Sequence, residues 1–212
     1  MNRIAYLGIL LFLFSSCEKD TVDYGLGEYY KEIATVLEAH TYRLDNGETL
    51  YEANPRNSTP HEDGQRISLT YSYLGEKTTI SVPQAITVYG ASAIAQGKLK
   101  AVSKEELETF DNHPIRMESI WIGSHYLNMR FYLEYKSEVH TIALLCDESD
   151  LDKKEINLYF KHSTNNDSPG YFSLMQSSFN LSQVLGEPQG DRILFVNIQT
   201  GNRETKNYQL CY

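Results

Sequence analysis

From Ile33 to the end of the chain, apolar and polar residues alternate within short segments that are separated by turn signals. In the segment ISLTYSYL, for example, Ile67, Leu69 and Tyr71 fall on one face of an extended chain, and the serine and threonine side chains fall on the other. Successive side chains of a strand point to opposite faces, so this period of two is typical of a strand with one packed and one solvated face. The pattern predicts an all-β protein.

The first of these segments contains a strong turn signal at Asp45-Asn46-Gly47. Asn and Gly tolerate positive φ angles at little cost, and such angles are needed in tight hairpin turns. The sequence therefore predicts a hairpin over residues 33–53.

One short helix is predicted between the strands. Ser103 and Glu106 fit a capping box, and Pro114 disfavours helical geometry in the residue before it. We predict a domain boundary at this interruption, with a first β-domain over residues 32–112 and a second over residues 113–212. The second domain holds about six or seven alternating segments, which is typical of an antiparallel β-sandwich.

The first sixteen residues have the pattern of a secretion signal. Arg3 supplies a positive charge, and residues 4–14 form an apolar run about as long as the core of a signal peptide. A membrane-spanning helix needs about 20 apolar residues, so this run is too short. Two serines and Cys17 then complete a pattern that resembles a bacterial lipobox. We expect residues 1–16 to be removed, Cys17 to be the lipid attachment site, carrying acyl chains such as palmitate, and residues 17–31 to form a tether.

This N-terminus predicts an address in the bacterial cell envelope. A lipid-anchored protein is held at a membrane by its acyl chains, since each buried CH₂ contributes about 0.8 kcal/mol. We expect the outer membrane, with the folded part facing the periplasm or the cell surface.

Two cysteines, Cys146 and Cys211, remain once Cys17 is assigned to the anchor. Export places them in an oxidising compartment, in which a disulfide persists. The sequence leaves two alternatives open: a disulfide between them, or two separate thiols of which one is buried as a small apolar side chain.

Neither the charge nor the motifs of the chain point to catalysis or nucleic-acid binding. The chain has 28 acidic and 19 basic side chains, a formal net charge of −9 at pH 7, whereas nucleic-acid binding relies on a basic surface. His61-Glu62 begins like a zinc-protease helix, but Gln65 stands where the second histidine is needed. No other histidine has the spacing of a metal ligand. We expect no catalytic residues, no metal and no cofactor.

The candidate binding residues are Trp121 and Tyr126, in the segment SIWIGSHYLN. They could form an aromatic binding platform. The alternative, a core tryptophan and a strand tyrosine, is favoured because Ile120 and Ile122 flank Trp121.

Several segments together resemble the NigD-like lipoproteins: LDNGETLYEAN, DGQRISLTYSYLG, DNHPI, WIGSHYLNMRF and KHS occur in the order typical of that family. The resemblance covers about residues 32–212 and the lipoprotein start. It implies that the first domain is a small OB-type barrel, followed by the β-sandwich. The family takes its name from a protein proposed to give immunity against a bacteriocin, and the resemblance implies no catalytic residues.

Two functions follow as expectations. The first is a non-enzymatic binding lipoprotein of the envelope, with a protein or toxin as partner, as in an immunity protein. The alternative is a carbohydrate- or oligomer-binding lipoprotein that serves an envelope uptake system.

Overall fold

A computed structural model describes residues 28–38, 40–55, 61–76, 82–200 and 204–212. The predicted signal peptide and Cys17 lie outside these residues. None of the helices within them has the length and apolar character that a membrane crossing requires.

The described residues form thirteen strands and only short helical segments, which confirms the all-β prediction. The strands are β1 (Tyr30–Glu38), β2 (Thr41–Leu44), β3 (Thr49–Glu52), β4 (Arg66–Tyr73), β5 (Gln84–Ala93), β6 (Ala95–Val102), β7 (Arg116–Gly123), β8 (Tyr126–Tyr135), β9 (Thr141–Asp147), β10 (Glu155–Ser163), β11 (Tyr171–Asn180), β12 (Ile193–Gln199) and β13 (Thr205–Cys211). The helices are α1 (Lys104–Leu107) and α2 (Ser182–Leu185), with a 3₁₀ turn at Glu148–Asp150.

The first five strands close into a barrel in the order β1-β2-β3-β5-β4, with β1 also paired to β4. Five strands closed in this way form an OB-type barrel, as the family resemblance implies. The predicted turn is present, with Gly47 at φ 89°. This turn joins β2 and β3. An earlier turn at His40, which has φ 65°, divides the predicted first strand of the hairpin into β1 and β2.

The barrel interior is filled by the apolar face that the alternation predicts. Its buried residues are Ala34, Val36, Tyr42, Leu44, Leu50, Ile67, Leu69, Tyr71 and Ile86. β1 begins at Tyr30, within the predicted tether, because the Tyr30 ring stacks on Tyr71 at a centroid distance of 5.5 Å.

The remaining strands form an eight-stranded sheet in the order β13-β12-β10-β9-β6-β11-β8-β7. The sheet folds over at β6, whose residues 95–98 pair with β11 and whose residues 99–102 pair with β9. One layer is therefore β11, β8 and β7, and the other is β9, β10, β12 and β13. A single apolar core, which includes Phe131, Phe160 and Phe179, lies between the layers, so the predicted sandwich is present.

Two details of the sequence prediction need correction. The boundary at 112/113 is wrong, because β6 already belongs to the sandwich and the barrel ends with β5. The helix α1 is capped as predicted, since the Ser103 hydroxyl accepts a hydrogen bond from the Glu106 N–H at 3.2 Å. However, Leu107 of this helix packs against Val102 and Leu145, both in the sandwich.

The sandwich is mixed and not purely antiparallel as predicted. Strand β6 is parallel to both β9 and β11, and strand β10 is parallel to β12.

Candidate functional site: the groove between barrel and sandwich

The barrel and the sandwich meet around one buried cation. Arg66, at the start of β4, is 0% exposed. Its guanidinium donates hydrogen bonds to both carboxylate oxygens of Asp45, at 2.7 and 2.9 Å. It also donates to Thr35, Asn128 and Ser178, at 2.9, 3.1 and 3.2 Å. A buried charge is tolerated when it is paired and fully hydrogen-bonded, so this set of partners from both domains holds the junction together.

Asp45 reaches this cation from the tight turn between β2 and β3. Its carboxylate also accepts a hydrogen bond from the side-chain amide of Asn128 in β8, at 2.8 Å. Gly123, at the end of β7, leaves the space that the carboxylate occupies, because a β-carbon there would lie 2.2 Å from Asp45 Oδ2. A turn of the barrel is thus seated directly on the sandwich.

Tyr126 belongs to the same junction. Its side chain is only 7% exposed, and the Arg66 guanidinium carbon lies 4.0 Å from the centroid of its ring. A cation in this position over an aromatic face is attracted by the ring. Tyr126 therefore packs inside the junction and does not form an exposed platform with Trp121.

Trp121 lies beside the junction, at a groove of about 500 Å³ between the two domains. The groove is lined by Lys31, Glu32, Ile33, Asp45, Asn46, Ser68, Trp121, Arg130 and Gln176. A second recess of about 250 Å³ shares Lys31, Arg130 and Gln176 with it. Of the two candidate binding residues, Trp121 is the one that a ligand can reach.

One ion pair at the groove is exposed to solvent. Arg130 Nε lies 3.3 Å from the Glu118 carboxylate, and the two side chains are 38% and 36% exposed. Exposed pairs of this kind contribute about 0–1 kcal/mol to folding. They are therefore free to exchange partners when another molecule binds.

Beyond the groove, the outer face of the first sandwich layer has a cluster of apolar and aromatic side chains around Arg116. The Arg116 guanidinium carbon lies 4.3 Å from the ring centroid of Tyr132 and 4.9 Å from that of Phe172. Leu174 is the cross-strand partner of Tyr132. Phe172 and Leu174 are 59% and 41% exposed. We call Arg116, Tyr132, Phe172 and Leu174 the aromatic face.

A second polar cluster lies within the sandwich, at the β8–β9 and β10–β11 connections. His140 Nδ1 is 2.9 Å from His162 Nε2, and His140 Nε2 is 3.2 Å from the Asp167 carboxylate. On its other side, His162 Nδ1 is 3.2 Å from the carbonyl oxygen of His113. The chain Asp167–His140–His162 has the order of a catalytic relay, but the His140 and Asp167 side chains are only 4% and 2% exposed.

Burial and hydrogen bonding set the charge states of His162 and Asp167. Burial lowers the pKa of His162 to about 4, and the neighbouring His140 adds to the effect. For Asp167, burial alone raises the pKa, but hydrogen bonds from the backbone N–H groups of residues 136–138 and from His140 lower it to about 2. The ionised Asp167 carboxylate and the neutral His162 therefore link the β8–β9 connection, the β10–β11 connection and the segment of His113. This is a structural role.

Of the two alternatives for the remaining cysteines, the structure has the separate thiols and not the disulfide. Cys146 and Cys211 are free thiols, the first buried and the second exposed. They lie in β9 and β13, and β10 and β12 separate these strands in the sheet. Three interstrand spacings amount to about 14 Å, whereas the Cα atoms of a disulfide lie within about 7 Å. Cys17, the predicted lipid attachment site, lies outside the described residues.

No three His, Cys, Asp or Glu side chains converge on a metal-sized site within the described ranges. Apart from Tyr126, sequence reasoning did not single out the junction residues, and it did not single out the histidine cluster. The one available signal was Asn128, which with Arg130 is one of two strongly polar side chains in the largely apolar segment YLNMRFYL.

Comparison with known proteins supports the architecture. No curated protein matches the sequence. A solved structure from Parabacteroides distasonis, described as that of a toxin-related protein, has a TM-score of 0.72 and 25% identity, over 87% of this chain and 93% of its own. A NigD-like immunity protein from Bacteroides caccae has a TM-score of 0.65 and 19% identity, over 87% and 94%. A protein from Bacteroides fragilis described as a lipoprotein has a TM-score of 0.68 and 13% identity, over 87% and 98%. At identities below 25%, the last two show a shared fold alone.

The decisive match is in sequence. The model of the NigD-like C-terminal beta sandwich domain matches residues 98–212, which is more than half of the chain. The match begins within β6, in agreement with the structural boundary between barrel and sandwich. The chain therefore belongs to the NigD-like family.

Proposed function

We propose that this protein is a lipid-anchored binding protein of the bacterial cell envelope, which engages a protein partner and catalyses no reaction. The observation that carries the proposal is the aromatic face beside the groove. Exposed apolar side chains that lie together on a rigid sheet mark interaction surfaces. Aromatic residues and arginine are the types enriched where protein interfaces bind most strongly.

Arg116 indicates the chemistry of that partner. It stacks on two rings and forms no ion pair with another described residue. An exposed cation that is positioned by two rings is complementary to a carboxylate of a protein partner. We therefore expect an acidic side chain of the partner at Arg116 and apolar side chains at Phe172 and Leu174.

The anchor and the class of partner rest on the N-terminal pattern and on the relatives. The lipobox-like end of the apolar run supports acylation of Cys17, and a structural neighbour from Bacteroides fragilis is described as a lipoprotein. Others are described as an immunity protein and as toxin-related. A toxin, such as a bacteriocin, is accordingly the first partner to test, at the outer membrane.

The anchor is tested by fractionation. Cys17→Ala should move the protein from the membrane to the soluble fraction, because the acyl chains are lost. A wild-type protein that is itself soluble and carries no acyl group would refute the anchor.

The binding face is tested by photo-crosslinking in cells. A photoreactive benzoylphenylalanine in place of Phe172 should yield a discrete crosslinked protein, and Arg116→Ala should weaken that crosslink. The matched control replaces Lys206, an exposed residue of β13 in the other layer. The same crosslinks from both positions, or none from position 172, would contradict the proposal.

A further inference from the structure

The outer face of the second sandwich layer has a different chemistry from the aromatic face. On β10, β12 and β13, side chains that point outward alternate with core residues such as Leu158 and Val196, which are fully buried. The register places the outward side chains in two rows across the three strands. We call these six residues the amide face: Asn157, Phe195 and Gln209 in one row, and Tyr159, Asn197 and Asn207 in the next.

The amides of this face are ordered by one another. The Asn207 side-chain nitrogen donates to the Asn197 oxygen at 3.1 Å, and the Asn197 nitrogen lies 3.5 Å from the Asn157 oxygen. Asn197 also donates to the backbone carbonyls of Leu158 and Phe195, both at 3.2 Å. Asn197 is thus held in one orientation by four contacts.

The chain of amides leaves unused hydrogen-bonding groups at its two ends. The Asn157 side-chain NH₂ and the Asn207 side-chain oxygen have no partner within the described residues. One end therefore offers donors and the other an acceptor. The two ends lie two strand spacings apart, about 10 Å. A hydroxyl group both donates and accepts, so hydroxyls on separate rings of one oligosaccharide can satisfy both ends.

The two rings of the amide face are diagonal neighbours. Phe195 lies between two amides in its row, and Tyr159 lies at the β10 end of the other row. Phe195 and Tyr159 are half-buried, unlike the protruding Phe172 of the aromatic face. A half-buried ring exposes part of its apolar surface but does not protrude far enough to insert into a protein partner. Flat rings flanked by amides suit the alternating C–H and O–H surfaces of a sugar.

The six residues of the face carry no charge, although Glu155 and Lys161 flank them on the same side of β10 and the chain as a whole carries a net charge of −9. Asp150 and Lys153 form an ion pair at its rim, and Lys154 and Glu155 beside them are opposite in charge. A shallow recess of about 830 Å³ extends from this rim over Asn157, Phe195 and Asn207. The recess is large enough for several sugar rings.

We propose that the amide face binds an uncharged oligosaccharide, with ring stacking on Phe195 and hydroxyl hydrogen bonds to Asn157 and Asn207. This site lies on the opposite layer from the aromatic face, so its test does not depend on whether the aromatic face binds a protein partner.

The test is affinity electrophoresis of the mature chain in native gels that contain one polysaccharide each. Dextran, α-mannan, xylan and galactan are the neutral probes, and polygalacturonate is the charged one. At least one neutral polysaccharide should retard migration. Asn157→Ala with Asn207→Ala should weaken that retardation at least tenfold, and Val139→Ala, at a side chain that is 80% exposed in the β8–β9 connection, should leave it unchanged.

A variant that loses its fold would also lose binding, so circular dichroism and the single change Asn207→Ala accompany the double variant. Asn207 is exposed on an edge strand, and its truncation should weaken retardation while leaving the spectrum unchanged. The proposal is overturned if no neutral polysaccharide retards the protein, if polygalacturonate alone does so, or if the folded double variant binds like the wild type.

Discussion

The carboxylate of Asp45 lies against Gly123 so closely that a β-carbon at position 123 would lie 2.2 Å from its Oδ2 atom. Asp45 belongs to the barrel and Gly123 to the sandwich, so this contact sets how closely the two domains dock. The same carboxylate accepts two of the hydrogen bonds that the buried Arg66 guanidinium donates. A group that pushes Asp45 away must therefore also disturb the ion pair.

Gly123→Ala should lower the free energy of unfolding by about 1–3 kcal/mol, the usual cost of overpacking a tight site. The cause is displacement of the Asp45 carboxylate by the added methyl group. Urea denaturation followed by tryptophan fluorescence measures it. The matched control is Gly90→Ala in β5, where an added β-carbon meets nothing within 4 Å and the change should stay within about 0.5 kcal/mol. If the two changes lower the free energy of unfolding equally, the contact between Asp45 and position 123 does not contribute specifically to stability.

Arg66→Met should destabilise the protein by about 3–5 kcal/mol, because it leaves the Asp45 carboxylate without its cation. Arg43→Met provides the comparison, since Arg43 is exposed in β2 and its loss should cost little. Adding Asp45→Asn to Arg66→Met should recover part of the stability by removing the unpaired charge. If the Arg66 and Arg43 variants unfold at the same urea concentration, the junction is not held by this ion pair.

The two thiols should react very differently in the folded protein. Burial raises the pKa of Cys146 to about 11, with Asp150 and Asp147 adding to the effect, whereas Cys211 is exposed. In a chain with Cys17→Ser, an aromatic disulfide reagent should label one thiol in native buffer and two in denaturant without reductant. If no thiol reacts until a reductant is added, the cysteines are paired and the sheet order given above is wrong.

The period-two alternation was enough to predict the class of fold and the buried face of β4, and the Asp45-Asn46-Gly47 signal predicted the turn that carries Asp45. The alternation failed at β6, because AQGKLKAV shows no clean alternation and contains Gly97. That glycine has a packing reason, since a β-carbon there would lie 2.6 Å from the ring of Phe179. The missing strand moved the predicted boundary to the helix that follows it.

The junction was not predictable from the same pattern. Arg66 lies on the face of β4 that also carries Ser68 and Thr70, and alternation assigns this face to solvent. The sandwich covers its first part, so Arg66 is 0% and Ser68 only 6% exposed. Contacts between domains join residues far apart in sequence, such as Asp45 and Asn128, and no local period reports them. Tyr126 was singled out as an aromatic residue, but its burial depends on these same contacts.

Acid should destabilise the protein through His162. The folded-state pKa of about 4 lies below the unfolded value of about 6.5, so its stabilising contribution is complete above pH 6.5 and is lost as the pH falls to about 4. A difference of this size corresponds to about 3 kcal/mol. The Asp167 carboxylate has a pKa lowered to about 2, so its stabilising contribution is also lost as the pH falls, at still lower pH.

The ring of His140 and the carbonyl of His113 face His162 and remain in place in the test. Urea midpoints between pH 7 and pH 4 should fall less steeply in His162→Gln than in the wild type, whereas His61→Gln, in the loop before β4, should follow the wild type. Parallel slopes in all three proteins would mean that another group governs the acid sensitivity.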